Sequence, residues 1–353
     1  MAMPVIKSYK ITAMKKILIP LLLITITSSC KKQTAGPTVI PDSETTLLSP
    51  GPPSNYWTFK LYAPGTFGTR SGMASFVIGQ KAYVFGGYDF DNNDFQKDLW
   101  VFDPLANTFT QKASLPAAGE SRIAPVGFSI NGKGYIATGY SGTVLRDLWE
   151  YDPVADSWTQ KADMPSLGRW KAVGFALNGK GYVATGNSFM SRLKDVWEYN
   201  PVTNSWMQKA DMPPVYGRED AFVFVFNNKA YVGGGRSNVD IKTMYEFNPA
   251  MALNGLWTQK ADYPGQGNLK VAAFATNLAG FAGTGAILNG GFTFYKDLWR
   301  YAPSTNTWTK KTDFPGAPRA WAVGFSINGI GYIGLGRDEA ENTNTLDLYK
   351  YIQ

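Results

Sequence analysis

Six side chains carry most of the chemistry this sequence could do. Trp170, Lys171, Glu219, Asp220, Lys270 and Trp321 bring indole, ammonium and carboxylate groups to matching places in successive copies of a repeat. Apolar ring faces beside a few convergent charges suit the capture of a sugar or a peptide side chain. Arg236, at the head of a long variable stretch, joins this ligand-binding set. A second cluster, Asp89, Asp91 and Asp94 with Asn92 and Asn93, offers closely spaced hard oxygen ligands of the kind calcium takes. The run lacks the EF-hand spacing and its twelfth-position glutamate, so a solvated polar loop is the plainer expectation.

Other chemistries are excluded by composition. The 353 residues contain no histidine, the commonest general base and transition-metal ligand. Their single cysteine, Cys30, leaves no disulfide, no thiolate zinc site and no cysteine–histidine pair. Nucleophile triads and phosphate loops are missing too, so no cofactor is expected.

The elements that must position the candidate residues are short strands. A strand beginning with an aromatic recurs at Trp57, Phe109, Trp158, Trp206, Trp257 and Trp308, with spacings of 52, 49, 48, 51 and 51. Such a period marks a repeat architecture. Within one copy, two strand-like runs flank Asn178-Gly179, a pair favoured where a hairpin needs positive φ twice. The same turn returns as Asn131-Gly132, Asn227-Asn228 and Asn328-Gly329. In a third run Trp197 and Tyr199 alternate with Val196 and Glu198, the period of a pleated strand. Asn200-Pro201 then ends it, because proline cannot donate to a ladder. Four antiparallel strands per repeat, without helical periodicity, describe a propeller blade.

These units resemble Kelch repeats. Each has an opening arginine (Arg70, Arg122, Arg169, Arg218 and Arg319), glycines closing the second strand, then Tyr and Trp at fixed spacing. Asn268 replaces the arginine in the fifth copy, and the double glycine survives only at Gly86-Gly87 and Gly234-Gly235. The resemblance covers residues 57–351 and implies an all-β fold, a six-bladed Kelch-type β-propeller. Its last blade would be closed by the N-terminal strand, because the chain opens with a lone fourth strand and ends after a third. The tryptophans are expected to pack blades together, and the arginines to bond loop carbonyls.

Strand alternation puts the start of strand one and the loop between strands two and three on one face. In Kelch-like propellers that face usually carries the ligand site. The long loops 88–97, 187–194, 236–242, 286–296 and 337–345 belong to it. Lys171, Asp220, Lys270 and Trp321 each lie two residues beyond an arginine position and are expected to share its orientation. Two enzyme families share this repeat form. Galactose-oxidase chemistry is excluded, since it needs two histidines and a Tyr–Cys crosslink. A sialic-acid mutarotase needs only an acid/base pair and an arginine for the substrate carboxylate. Resemblance to it would give those roles to Glu219, Asp220, Arg218 and Arg236.

The formal charge of +7 misleads about partners. Lys7, Lys10, Lys15 and Lys16 fall in residues 1–29, and removing them leaves 30 bases against 27 acids. Met14-Lys15-Lys16 and the apolar run to Ile26 read as a signal peptide, too short to span a bilayer as a helix. Thr27-Ser28-Ser29-Cys30 resembles a bacterial lipoprotein signal, with Thr27 where leucine is usual, and makes Cys30 the lipidation site. Residues 30–54 hold five prolines and form a tether, leaving 55–353 as the propeller. The expected protein is a non-catalytic binding module at the bacterial cell envelope, an outer-membrane lipoprotein. Its partner is a protein or glycan ligand. It meets the membrane only through the anchor and does not bind nucleic acid. The carbohydrate-active enzyme of mutarotase type is the alternative.

Overall fold

A computed structural model describes residues 55–213, 216–338 and 345–353, all within the compact unit Pro52–Gln353. The signal, Cys30 and the tether lie outside the described residues, as do residues 339–344 of the last long loop. Among the described residues there is no α-helix, only a single 3-10 turn at Gly65–Phe67.

The strands form six antiparallel four-stranded sheets, accompanied by short two- and three-stranded ribbons. Five of the six are simple meanders. The third, for example, runs Val173–Leu177, Lys180–Ala184, Val196–Asn200, Ser205–Lys209. The other first strands are Ala74–Ile78, Val126–Ile130, Phe222–Phe226, Ala272–Ala275 and Val323–Ile327. Each first strand touches that of the next sheet, and the sixth touches the first.

Local sequence explains each sheet. Asn178 and Gly179 adopt φ of 51° and 71°, and the equivalent pairs lie at 47–52° and 59–78°, so the expected primed hairpin turns are present. Across that hairpin Phe175 faces Tyr182 with ring centroids 5.2 Å apart and planes nearly parallel. The same stacked pair recurs in the first, second, fifth and sixth sheets and at Phe224–Tyr231. Neighbouring sheets press these rings onto bare backbone: a Cβ on Gly181 would lie 2.3 Å from the Phe128 ring.

The recurring tryptophans sit in the fourth strands and tie one sheet to the one before it. Trp158, Trp206, Trp257 and Trp308 donate their indole N–H to the carbonyls of Ala113, Ala162, Ala210 and Ala261 at 2.7–3.1 Å. Phe109 has no such donor and packs on Phe67 and Phe102 instead.

The sixth sheet joins the two ends of the described chain. Tyr56–Tyr62 pairs antiparallel with Asp347–Ile352, with Trp57 opposite Tyr351 and a bulge between Phe59 and Leu61. Trp57 also donates to Thr312 O at 3.0 Å, the same bond that its counterparts make. Deleting residues 55–62 should therefore expose the edge of Asp347–Ile352 and remove the Trp57 ring from its seat on Phe314 and Tyr351. The expected outcome is a clear fall in Tm with aggregation; a variant that melts like the parent would reject this role for the strand.

Candidate functional site

The arginines do not open the first strands, as the sequence reading placed them. Arg122 and Arg169 stand four residues ahead of Val126 and Val173, and their guanidinium groups are fully buried. Arg169 bonds Asp195 through both nitrogens at 2.8 and 2.7 Å and the Thr185 carbonyl at 3.0 Å. Arg122 repeats this with Asp147 and Thr138, and Arg70 and Arg319 pair with Asp98 and Asp347. Loop carbonyls are thus partners, as expected, and a carboxylate is added. Asp195 also accepts the Trp197 indole N–H at 2.7 Å, which links the clasp to the third strand.

Two repeats depart from the clasp. Thr243 stands where the fourth needs an aspartate, so Arg218 bonds only the Gly234 and Thr243 carbonyls and Thr243 Oγ1, each at 3.0 Å. Burial without a carboxylate on the guanidinium pulls Arg218 down to about 10. Buried Arg218 is thus bonded to the scaffold, and it is not among the residues that line the cavity described below, where the mutarotase alternative would have an arginine hold a substrate carboxylate. In the fifth repeat Asp297 lacks an arginine and accepts Gln266 N and the Trp299 indole instead.

A second correction concerns orientation. Gly72, Ala124, Lys171, Asp220, Lys270 and Trp321 all adopt left-handed backbone, with φ between 50° and 69°. Strand alternation fails there, and these side chains part company with the arginines. A non-glycine residue in this conformation costs about 1–2 kcal/mol. What holds them is a belt of backbone bonds from repeat to repeat. Ala124 N donates to Gly72 O at 2.7 Å, and Lys171, Asp220, Lys270 and Trp321 continue the series at 3.0–3.3 Å. All six residues line one shallow depression.

Lys171, Asp220, Lys270 and Trp321 also line a cavity of about 460 Å³. Its walls include all seven residues expected to bind ligand: Trp170, Lys171, Glu219, Asp220, Arg236, Lys270 and Trp321. The structure adds Phe90, Ile123, Arg192, Leu269, Leu288 and Phe292. Ile123 and Leu269 follow an arginine position by one residue, as Trp170 and Glu219 do, so the repeat spacing could have found them. The others come from the long loops, where sequence offered only their exposure.

The acids of the cavity are engaged. Glu219 accepts from Arg192 Nε at 3.0 Å, Asn187 Nδ2 at 2.9 Å and Lys171 Nζ at 3.2 Å. Burial works against its charge, but Lys171 and these hydrogen bonds outweigh it and hold the carboxyl below its usual range. Asp220 lies 2.7 Å from Lys270 Nζ and 3.6 Å from Lys171 Nζ. Each ammonium also sits over an indole, Lys171 at 4.2 Å from Trp170 and Lys270 at 4.1 Å from Trp321. Burial pulls Lys270 down to about 8, against the opposing effect of Asp220.

The donors are not all used. Four cations, Lys171, Arg192, Arg236 and Lys270, share the walls with two carboxylates. Buried Arg236 Nη1 and Trp170 Nε1 have no hydrogen-bond acceptor, and Asp240 is 3.7 Å from Arg236 Nη1. Such a cavity suits a ligand bearing an anion or several acceptor oxygens.

Asp89, Asp91 and Asp94 do not form a comparable centre. Asp89 is buried and accepts from Asp91 N, Asn92 N and Asn92 Nδ2, the bonds of a turn. Among the described residues no group of three or more acidic, histidine or cysteine side chains is arranged to hold a metal ion.

Comparison with known proteins accords with this architecture. The Kelch motif model matches residues 69–116, 128–165 and 176–213, on the first three sheets. No curated protein matches the chain. Among solved structures, that of YjhT is similar with a TM-score of 0.68 and 19% identity. The match covers 81% of this chain and 95% of that one. The chain thus carries Kelch motifs and an all-β fold like that of a Kelch-type propeller.

The clasp makes opposite predictions in neighbouring repeats. Arg169→Ala leaves partly buried Asp195 without its guanidinium and should cost about 3 kcal/mol in urea unfolding, the lower end for a stranded partner. Thr243→Asp supplies the carboxylate Arg218 lacks and should raise stability by about 1 kcal/mol. A neutral Arg169→Ala, or a destabilising Thr243→Asp, would contradict the assigned role.

Proposed function

We propose that this chain is a binding module that captures the carboxylate of a sugar or peptide group in the cavity of its loop face. The observation that carries the reading is the imbalance of that cavity, whose acids are engaged while Arg236 Nη1 and Trp170 Nε1 lack acceptors. We further infer that the six sheets are blades of a closed six-bladed propeller. The cyclic contacts of the first strands and the Tyr56–Tyr62 pairing support this. The Thr27-Ser28-Ser29-Cys30 pattern supports lipid anchoring at the bacterial cell envelope, with residues 30–54 as tether and the propeller as the ligand-binding part.

A second reading, acid/base interconversion of sugar anomers, is favoured by one observation. Glu219, held ionised, and Lys270, pulled to about 8, share the cavity and could act as base and acid. NMR exchange spectroscopy with an acidic sugar separates the two. Faster anomer exchange that is lost in Glu219→Gln establishes the enzyme, and binding without acceleration dismisses it.

Paired acidic and neutral glycans and peptides, titrated calorimetrically, test the binding reading. Acidic members should bind at least tenfold more tightly than their neutral partners, and Arg236→Ala should erase that preference. Equal affinity for both would defeat it. The pH dependence has a definite sign. Lys270 is charged below about 8, so anion affinity should be full there and fall as pH rises toward 9. Lys270→Arg keeps its charge throughout this range and should flatten the profile; an unchanged slope would remove Lys270 from the explanation.

A further inference from the structure

The cavity is ringed by apolar loop tips that its own chemistry does not use. Phe90, Phe189, Met190, Val239, Leu288 and Phe292 come from four different loops, and all are exposed. Met190 is 89% exposed, Val239 70% and Phe189 59%. Three of the six, Phe90, Leu288 and Phe292, also line the cavity. Phe189 packs at a tilt against Trp170, 5.6 Å away, and Phe292 meets Trp321 edge-on at 5.1 Å. Through Phe90, Leu288, Phe292 and Phe189 the apolar loop tips meet the cationic interior, with Met190 next to Phe189 in sequence and Val239 three residues after Arg236.

Resting on the anion-binding reading above, we propose that this face docks a protein partner. The partner would present an aspartate, a glutamate or its C-terminal carboxylate between large apolar side chains. The carboxylate enters the cavity toward Arg236, and the flanking residues cover the loop tips. A glycan accounts for less of the surface. A sugar ring can lie on a phenyl face, but covering Met190 and Val239 calls for aliphatic or aromatic groups. Exposed apolar patches of this kind mark association surfaces. Aromatic residues and Met are enriched at protein interfaces, with hot spots at their desolvated centres. Charge complementarity selects an acid for the middle, because the cavity holds more cations than carboxylates.

Panning the full chain against a random twelve-residue phage-displayed peptide library tests this proposal. Enriched peptides should carry an acid with at least two large apolar residues within three positions of it. In a synthetic peptide of that type, changing the acid to its amide should weaken binding tenfold or more. Met190→Glu and Val239→Glu, on exposed positions, should weaken the same peptide at least tenfold with Tm unchanged. They should leave the affinity for free acidic monosaccharides as it is.

If peptides need the acid but ignore the rim substitutions, the docking surface is overturned and the cavity reading stands. Tight binding of acidic glycans with no peptide enriched has the same consequence. Enriched apolar peptides without an acid, or no binding by peptide or glycan, would overturn both.

Discussion

A buried guanidinium that joins three stretches of chain is the interaction on which the rest of this molecule depends. Arg169 reaches the end of the second strand at Thr185, the head of the third at Asp195 and the preceding linker at Ser166. Removed from water, such a pair is of modest net worth, but losing one partner strands the other charge. The clasp therefore acts as a geometric constraint. In the repeats that keep it, it fixes where the chain enters the first strand, and the next two residues inherit that position. Eight of the cavity's lining residues, from Ile123 to Trp321, stand one or two places after an arginine or its Asn268 substitute.

Chemical variety arises where the repeat is broken on this constant frame. The left-handed belt has small residues at Gly72 and Ala124 and reactive ones at Lys171, Asp220, Lys270 and Trp321. Six equal bearings thus carry unequal side chains. The strain of four large residues in left-handed backbone is offset by the belt of amide bonds and by their mutual ion pairs. The resulting cluster pairs Glu219 and Asp220 with Lys171, Arg192 and Lys270, while Arg236 lies 3.7 Å from Asp240.

Much of this was readable in advance. The Asn-Gly pairs specified primed turns because few other residues accept positive φ twice, and the fourth-strand tryptophans were recognisable as packing. The face that gathers the long loops followed from strand direction, and the seven candidate residues do share one cavity there. The arginine orientation was misread, because alternation applies only inside a strand and these residues precede it. Arg192 was missed because nothing near it in sequence announces Glu219, a contact made across two repeats.

The sequence by itself determined the period, the strands, their turns and which residues occupy equivalent places, since these depend on local propensity and spacing. Only the tertiary structure decided where each side chain points and which donors are left without an acceptor. Direction at Lys171 or Asp220 hangs on the sign of one φ, held by a hydrogen bond to the neighbouring repeat. The spare donors on Arg236 and Trp170 likewise exist only once every nearby acceptor has been placed. Both are consequences of contacts between residues roughly fifty positions apart, which spacing can bring together but cannot orient.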